Sequence, residues 1–388
     1  MSVRRCLAVL PCLCALPAAA VVSVTDDSLN LSLGAQLQTR VERATSSDAN
    51  GGYDTVLGRP GSSDVADFSI RRARLLIGGT YQAVYRFGLS YTSESVDAQG
   101  YQTSRGASAY KAWIEREFYG TGVIHVAHAG LDYPFYNRAV GGDAFHLFPQ
   151  QRATAALLPV RGVGARYKLI GDRFDFGIDV QNTLDPAKPA ANADKADGLF
   201  WSGRLEMSLL DGRKPEYRES YVGEARESAL LALDIGYDQA DYGTPLFRTN
   251  TLCYGIEALV HDGGLSGLAE LRWLRSRAAS TIGAGDVDTH QHVYLVQFGY
   301  AVPLDDGMVL EPAARLSLLR FDTPGDEVYD TTANPDSEWG GSGRQIDLGL
   351  NLYLNRHSNK IQLSYSRWTA ESGDGKADIV RLQHQFFF

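Results

Sequence analysis

Cysteine, methionine, basic charge and long apolar runs are all scarce in this chain. Of its 4 cysteines, Cys6, Cys12 and Cys14 crowd the N-terminus and only Cys253 comes later. A chain left with Cys253 alone has no intramolecular disulfide partner. Only 3 methionines stand beside 40 glycines and 20 tyrosines, a balance that favours sheet and turns over helix bundles. Past the N-terminus no run of about 18 apolar residues occurs, which excludes a transmembrane helix there. The formal net charge is −9, the reverse of the basic stripe that nucleic acid requires. No P-loop or dinucleotide-binding glycine pattern is present.

The N-terminus reads as a targeting segment. Arg4 and Arg5 precede the apolar stretch "CLAVLPCLCALPAAA", which closes on Ala18, Ala19 and Ala20. A positive start, a short apolar run and a small-residue site predict a secretory signal peptide over 1–20 and a mature chain of 21–388. A short membrane anchor is the alternative, but the run is too short for it and carries Pro11 and Pro17. Cleavage removes two positive charges and takes the net charge from −9 to −11.

The dominant pattern is alternation with period two. "VYRFGLSYTSES" sets Tyr85, Phe87, Leu89 and Tyr91 on one face against Arg86, Gly88, Ser90 and Thr92. "FDFGIDVQN", "RQIDLGLNLYLN" and "KIQLSYSR" alternate the same way. Such segments predict strands with one apolar and one polar face. They recur at about 29–41, 66–80, 83–96, 107–118, 122–132, 160–171, 173–183 and 200–211. The second half adds about 228–240, 248–261, 264–275, 290–302, 307–322, 343–355, 358–370 and 376–388.

Short turns such as "YGTG", "IGDR", "HDGG" and "NRHSN" alternate with long polar loops along this series. One connection, 212–227, is too long for its place among the short ones. An even number of strands with short turns at one end and long loops at the other predicts an all-β fold: a transmembrane antiparallel β-barrel of about 16 strands, its short turns periplasmic and its long loops extracellular. Closure leaves no unpaired backbone in lipid. A soluble sandwich or propeller is the competing fold. It accounts neither for the alternating loop lengths nor for a polar face on nearly every strand.

A barrel of this size has room for a water-filled lumen lined by the polar parity. That parity places Arg72 and Arg74 on one inward row, with Arg86 beside them across a short turn. Arg166 and Lys168 form a second inward pair. Two readings stand: a basic ladder that guides anions, or cations paired with lumen carboxylates on neighbouring strands. The loop 133–159 is the longest connection and is unusually apolar, with Phe135, Phe145, Leu147 and Phe148. Long loops of this kind tend to be functional. Folded into the lumen it would be a constriction loop presenting Arg138, Asp143, His146 and Arg152. Packed outside, it would meet a neighbouring subunit.

At these residues the chain resembles the phosphate-selective porin O and P family of Gram-negative outer membranes. "RRARLLIGG" resembles that family's early Arg-rich strand and "LDYPFYNRAV" its segment after the fifth strand. "VRGVGARYKLIG" resembles the strand after the third loop, "GLNLYLNRHSNKIQLSYSR" the late hairpin and "RLQHQFFF" the final strand. The resemblance implies an outer-membrane location, a homotrimer in lipid, and Phe386 and Phe388 as a terminal signal read by the barrel-assembly machinery. It also implies a preference for anions or phosphate through the basic wall. The loop 133–159 departs from the pattern: it has no Lys, where phosphate-selecting members carry lysines.

Enzyme chemistry finds little support. His357 and Ser358 are adjacent on an extended segment and point to opposite faces, so they are poorly placed as base and nucleophile. Asp175 and Asp179 share a face but lie about 13 Å apart by strand rise, too far for a glycosidase pair. The pairs His290 with His292 and His125 with His128 lack a third metal ligand, and no metal or cofactor is expected. The reading is a passive channel for small hydrophilic solutes or anions. The alternatives are a barrel hydrolase and a plugged structural or adhesive barrel.

Overall fold

The computed structural model describes residues 22–387 except for position 27, 47–63, 94–107, 119–121, 129–162, 183–198, 211–219, position 225, 242–246, 281–285, 322–341 and 372–375. The signal peptide over 1–20, the loop 133–159 with Arg138, Asp143, His146 and Arg152, and Phe388 lie outside the described residues.

The first strands are β1 (Val22–Thr25), β2 (Leu29–Ser46), β3 (Asp64–Tyr81), β4 (Tyr85–Ser93), β5 (Ser108–Phe118) and β6 (Gly122–His128). Next come β7 (Gly164–Ile170), β8 (Phe174–Asn182), β9 (Leu199–Ser208), β10 (Ser228–Asp241), β11 (Phe247–Asp262) and β12 (Leu265–Ser280). The last are β13 (Asp286–Tyr300), β14 (Val302–Pro303), β15 (Val309–Phe321), β16 (Gly343–Asn355), β17 (Asn359–Ala370) and β18 (Lys376–Phe387).

All join one antiparallel sheet, and the ring closes where β18 pairs with β2, from Ala377 opposite Ser46 to Phe387 opposite Gln36. β14 is a two-residue continuation of β13. β1 pairs with Asn30–Leu33 of β2, just beyond the point where β18 stops. Sixteen full staves remain, at the sixteen places where the alternation predicts them. Each begins or ends within a few residues of its predicted limit.

Alternation sorts the side chains. Val41, Leu75, Ile178, Ile235, Leu316 and Leu348 point outward and are exposed. On the opposite parity Gln38, Asp179, Glu257, Arg315, Asp347 and Gln383 are buried. An exposed apolar face on every side of a closed ring is a lipid-facing belt. Tyr81, Phe118, Phe174 and Tyr300 rim it at the short-turn end, and Tyr91, Trp201 and Tyr237 rim it at the other. Amphipathic rings suit both water–lipid interfaces.

Three irregularities interrupt the register among the described residues, one of them between Tyr353 and Asn355 where β16 meets β17. Arg71 is an extra residue where the register of β2 and β3 slips between Gln38 and Thr39. Tyr110 is extra where β4 and β5 slip between Ser90 and Tyr91. Such bulges let Ile70 and Phe68 stay outside beyond Arg72.

Candidate functional site

Among the described residues the lumen wall is a large polar surface, and ring closure decides what faces what on it. Arg72, Arg74, Arg86, Arg166 and Lys168 all sit on inward parity. Their neighbours differ. Arg86 reaches Glu115 at 2.5 Å and Glu117 at 3.8 Å. Arg166 forms an ion pair with Asp179 through Nε, with Nη2 at 3.4 Å from the second oxygen. Lys168 Nζ lies 3.2 Å from Asp175 and 3.6 Å from Glu206. These three match the second reading: each pairs with a carboxylate on the adjacent strand, and Lys168 also reaches across β8 to Glu206. Arg72 instead donates Nη1 to Gln38 Oε1 at 3.1 Å.

Among the described residues the densest cluster spans β9 to β12; alternation puts its side chains on the inward face but does not show that they converge. Arg204 Nε donates to Glu206 at 2.6 Å, and its Nη1 lies 2.7 Å from Glu257 and 3.4 Å from Asp234. Arg272 Nη1 donates to Asp234 at 2.9 Å, Nη2 pairs with Glu257, and Glu270 lies 3.8 Å away. Two guanidiniums thus meet four carboxylates, and all six side chains are buried. Arg272 reaches Asp234 only by crossing β11 at Gly255, where a Cβ would sit 2.7 Å from Arg272 Nη1. The signal in the sequence is an inward-parity glycine between Cys253 and Glu257.

A second cluster lies on β18, β2 and β3. Arg381 pairs with Glu42, Arg40 Nη1 lies 3.9 Å from the same carboxylate, and Arg40 Nη2 donates to Gln383 at 2.9 Å. Arg72 and Arg74 continue this wall. Four guanidiniums therefore gather on this stretch of wall, with Glu42 among them. In the ring order β2 stands half a turn from β10. The arginine-rich wall and the carboxylate-rich wall therefore face each other across the lumen. Between them Arg315 donates to Asp347 at 2.9 Å.

Some inward positions are apolar. Val293, Leu295 and Leu319 face inward and are buried, as are Phe200 and Cys253, which pack with Leu274. His290 and His292 fall on the outward parity of β13, away from the lumen. Phe386 also keeps outward parity, opposite Leu37 and Asn359, yet it is buried where Val380 on the same face is exposed. Among the described residues no three His, Cys, Asp or Glu converge as a metal site.

Solved structures share this architecture. The outer membrane channel DcaP of Acinetobacter baumannii aligns over 95% of this chain and 100% of its own, with a TM-score of 0.60 at 11% identity. An anion-selective porin from Comamonas acidovorans aligns over 93% and 100%, with a TM-score of 0.56 at 12% identity. The outer-membrane protein OmpT of Vibrio cholerae aligns over 95% and 100%, with a TM-score of 0.54 at 8% identity. This chain has the fold of an outer-membrane barrel. The fold is common to all three, and the continuous apolar exterior fits the outer membrane of a Gram-negative bacterium. No protein-family model matches the chain, and no curated protein matches it in sequence.

Proposed function

We propose that this barrel is a passive diffusion channel for small hydrophilic solutes. The observation that carries the reading is the sorting of charge: ionised groups line the inside of a closed sixteen-stave ring whose outside is apolar. Field lines between an arginine-rich and a carboxylate-rich wall would orient and sieve charged solutes as they pass. Anion preference, phosphate included, rests in this reading on the inward basic residues Arg72, Arg74, Arg86, Arg166 and Lys168, with Arg138 and Arg152 of the loop 133–159.

The loop 133–159 is proposed as the constriction loop, with Arg138, Asp143, His146 and Arg152 presented to the pore. The inward apolar patch of Val293, Leu295 and Leu319 supports this, since an apolar loop needs such a surface. The proposal extends to a cleaved signal peptide over 1–20, a homotrimer, and assembly directed by Phe386 and Phe388. One observation favours a plugged barrel instead: Glu270, Glu311, Asp347 and Lys360 face inward and are fully buried.

Planar-bilayer recording of the purified protein in a salt gradient tests the reading. A stable ohmic conductance is expected, and the sign of the reversal potential reports charge preference. Folded protein without conductance would favour the plugged barrel.

A further inference from the structure

The connection between β9 and β10 breaks the pattern of short turns at its end of the barrel. Its described part, Ser220–Glu224 with Arg226 and Glu227, does not hang free below the rim. Ser220 Oγ donates to Glu311 Oε1 at 2.6 Å on β15, and the Ser220 carbonyl lies 2.9 Å from His357 Nε2 in the β16–β17 turn. The Tyr221 ring stacks on His261 of β11 at 3.8 Å between centroids, and its hydroxyl lies 3.1 Å from Ser228 Oγ. Val222 packs with Ala301, Val309 and Tyr353.

Ser228, His261, Ala301, Val309, Glu311 and Tyr353 all carry inward parity. They come from staves spread from β10 to β16. One short stretch can meet all of them only inside the ring, where those side chains converge. Ser220, Tyr221 and Val222 are accordingly buried.

The backbone agrees. Val222 and Gly223 both have positive φ, at 54° and 76°, and Glu224 N donates back to the Tyr221 carbonyl at 3.1 Å. A β-branched residue adopts this conformation only where its surroundings impose it. The anchor is strongly built: Glu311 also accepts from Tyr353 at 2.5 Å and from Asn351 at 3.4 Å. At the tip Glu224 pairs with Arg356 at 2.5 Å, and Arg226 lies over the Tyr221 ring at 5.3 Å. Neighbouring inward positions on β10, β11 and β12 are Leu230, Leu259 and Leu268, opposite one another and all buried. Apolar side chains of this kind do not line open water.

We infer that the tight turn at Tyr221–Glu224 is a second size filter, set at the short-turn mouth of the pore and separate from the loop 133–159. It rests on the channel reading above. The filter is fixed rather than gated, because hydrogen bonds, a ring stack and an apolar cluster all hold it.

The test uses Glu224→Cys in a Cys253→Ala background, since Glu224 lies at the tip and its side chain is 38% exposed. Thiol reagents of increasing size are added to the conducting channel, with labelling checked by mass. Conductance should fall with reagent size, by roughly half or more for the bulkiest. Full labelling with unchanged conductance, or no labelling by the smallest reagent, would overturn the inference. In parallel, Val222→Asp puts a charge among Ala301, Val309 and Tyr353 and should undock the turn. Larger sugars should then enter liposomes that the parent channel protects. An unchanged size limit in folded Val222→Asp protein also counts against the filter. If the parent channel itself does not conduct, the channel reading fails instead.

Discussion

Arg272 on β12 reaches Asp234 on β10 by lying across the bare backbone of Gly255 on the strand between them. The three residues form one transverse row, Asp234 opposite Gly255 and Gly255 opposite Arg272. A side chain at 255 would occupy the path of the guanidinium. Gly255→Val should therefore cost about 1–3 kcal/mol through overpacking, and more if Asp234 is left buried without its partner. Urea unfolding in liposomes measures this. A neutral outcome would mean that Arg272 has another route to its carboxylates.

The facing walls predict opposite signs for opposite substitutions. Replacing Arg72 and Arg74 together by Ala should move the reversal potential toward cations. Asp234→Asn, on the opposite wall, should move it toward anions. Ion-selectivity recordings of the two variants side by side decide the matter, and shifts of the same sign would contradict the placing of both walls along the pore.

The exterior belt gives a depth test. Leu350 points outward near the middle of β16, whereas Trp201 lies near the end of β9. Leu350→Arg should destabilise the barrel by about 2–4 kcal/mol, and Trp201→Arg by about 0–1 kcal/mol from the charge alone. Reversible unfolding in lipid separates the two.

Deleting 139–148 should raise single-channel conductance if the loop narrows the pore. Conductance equal to that of the full chain, from a variant with intact barrel spectra, would remove the loop from the constriction.

Ala83 lies exposed in the turn after β3 with φ at 58°. Glycine adopts this conformation without the steric penalty of a Cβ. Ala83→Gly should stabilise the protein by about 1 kcal/mol, less the entropy glycine loses on folding. Thermal unfolding in detergent should show a small rise in midpoint.

Period-two alternation is written residue by residue, so the sequence alone determined the staves, their inward and outward faces, and the end at which each turn falls. That is why Arg72, Arg74, Arg86, Arg166 and Lys168 could be assigned to the lumen. Parity does not say which side chain on the next strand lies within reach, because a slip of register changes every partner. Arg86 with Glu115, Arg166 with Asp179 and Lys168 with Asp175 were settled only by strand register. The opposition of the Arg72 wall to the Asp234 wall exists only once β18 closes on β2, a contact between the two ends of the chain. The docking of Ser220 on Glu311, and of Tyr221 on His261, was decided by tertiary structure alone. Those partners lie far apart in sequence and meet because a closed ring turns their inward faces toward one centre.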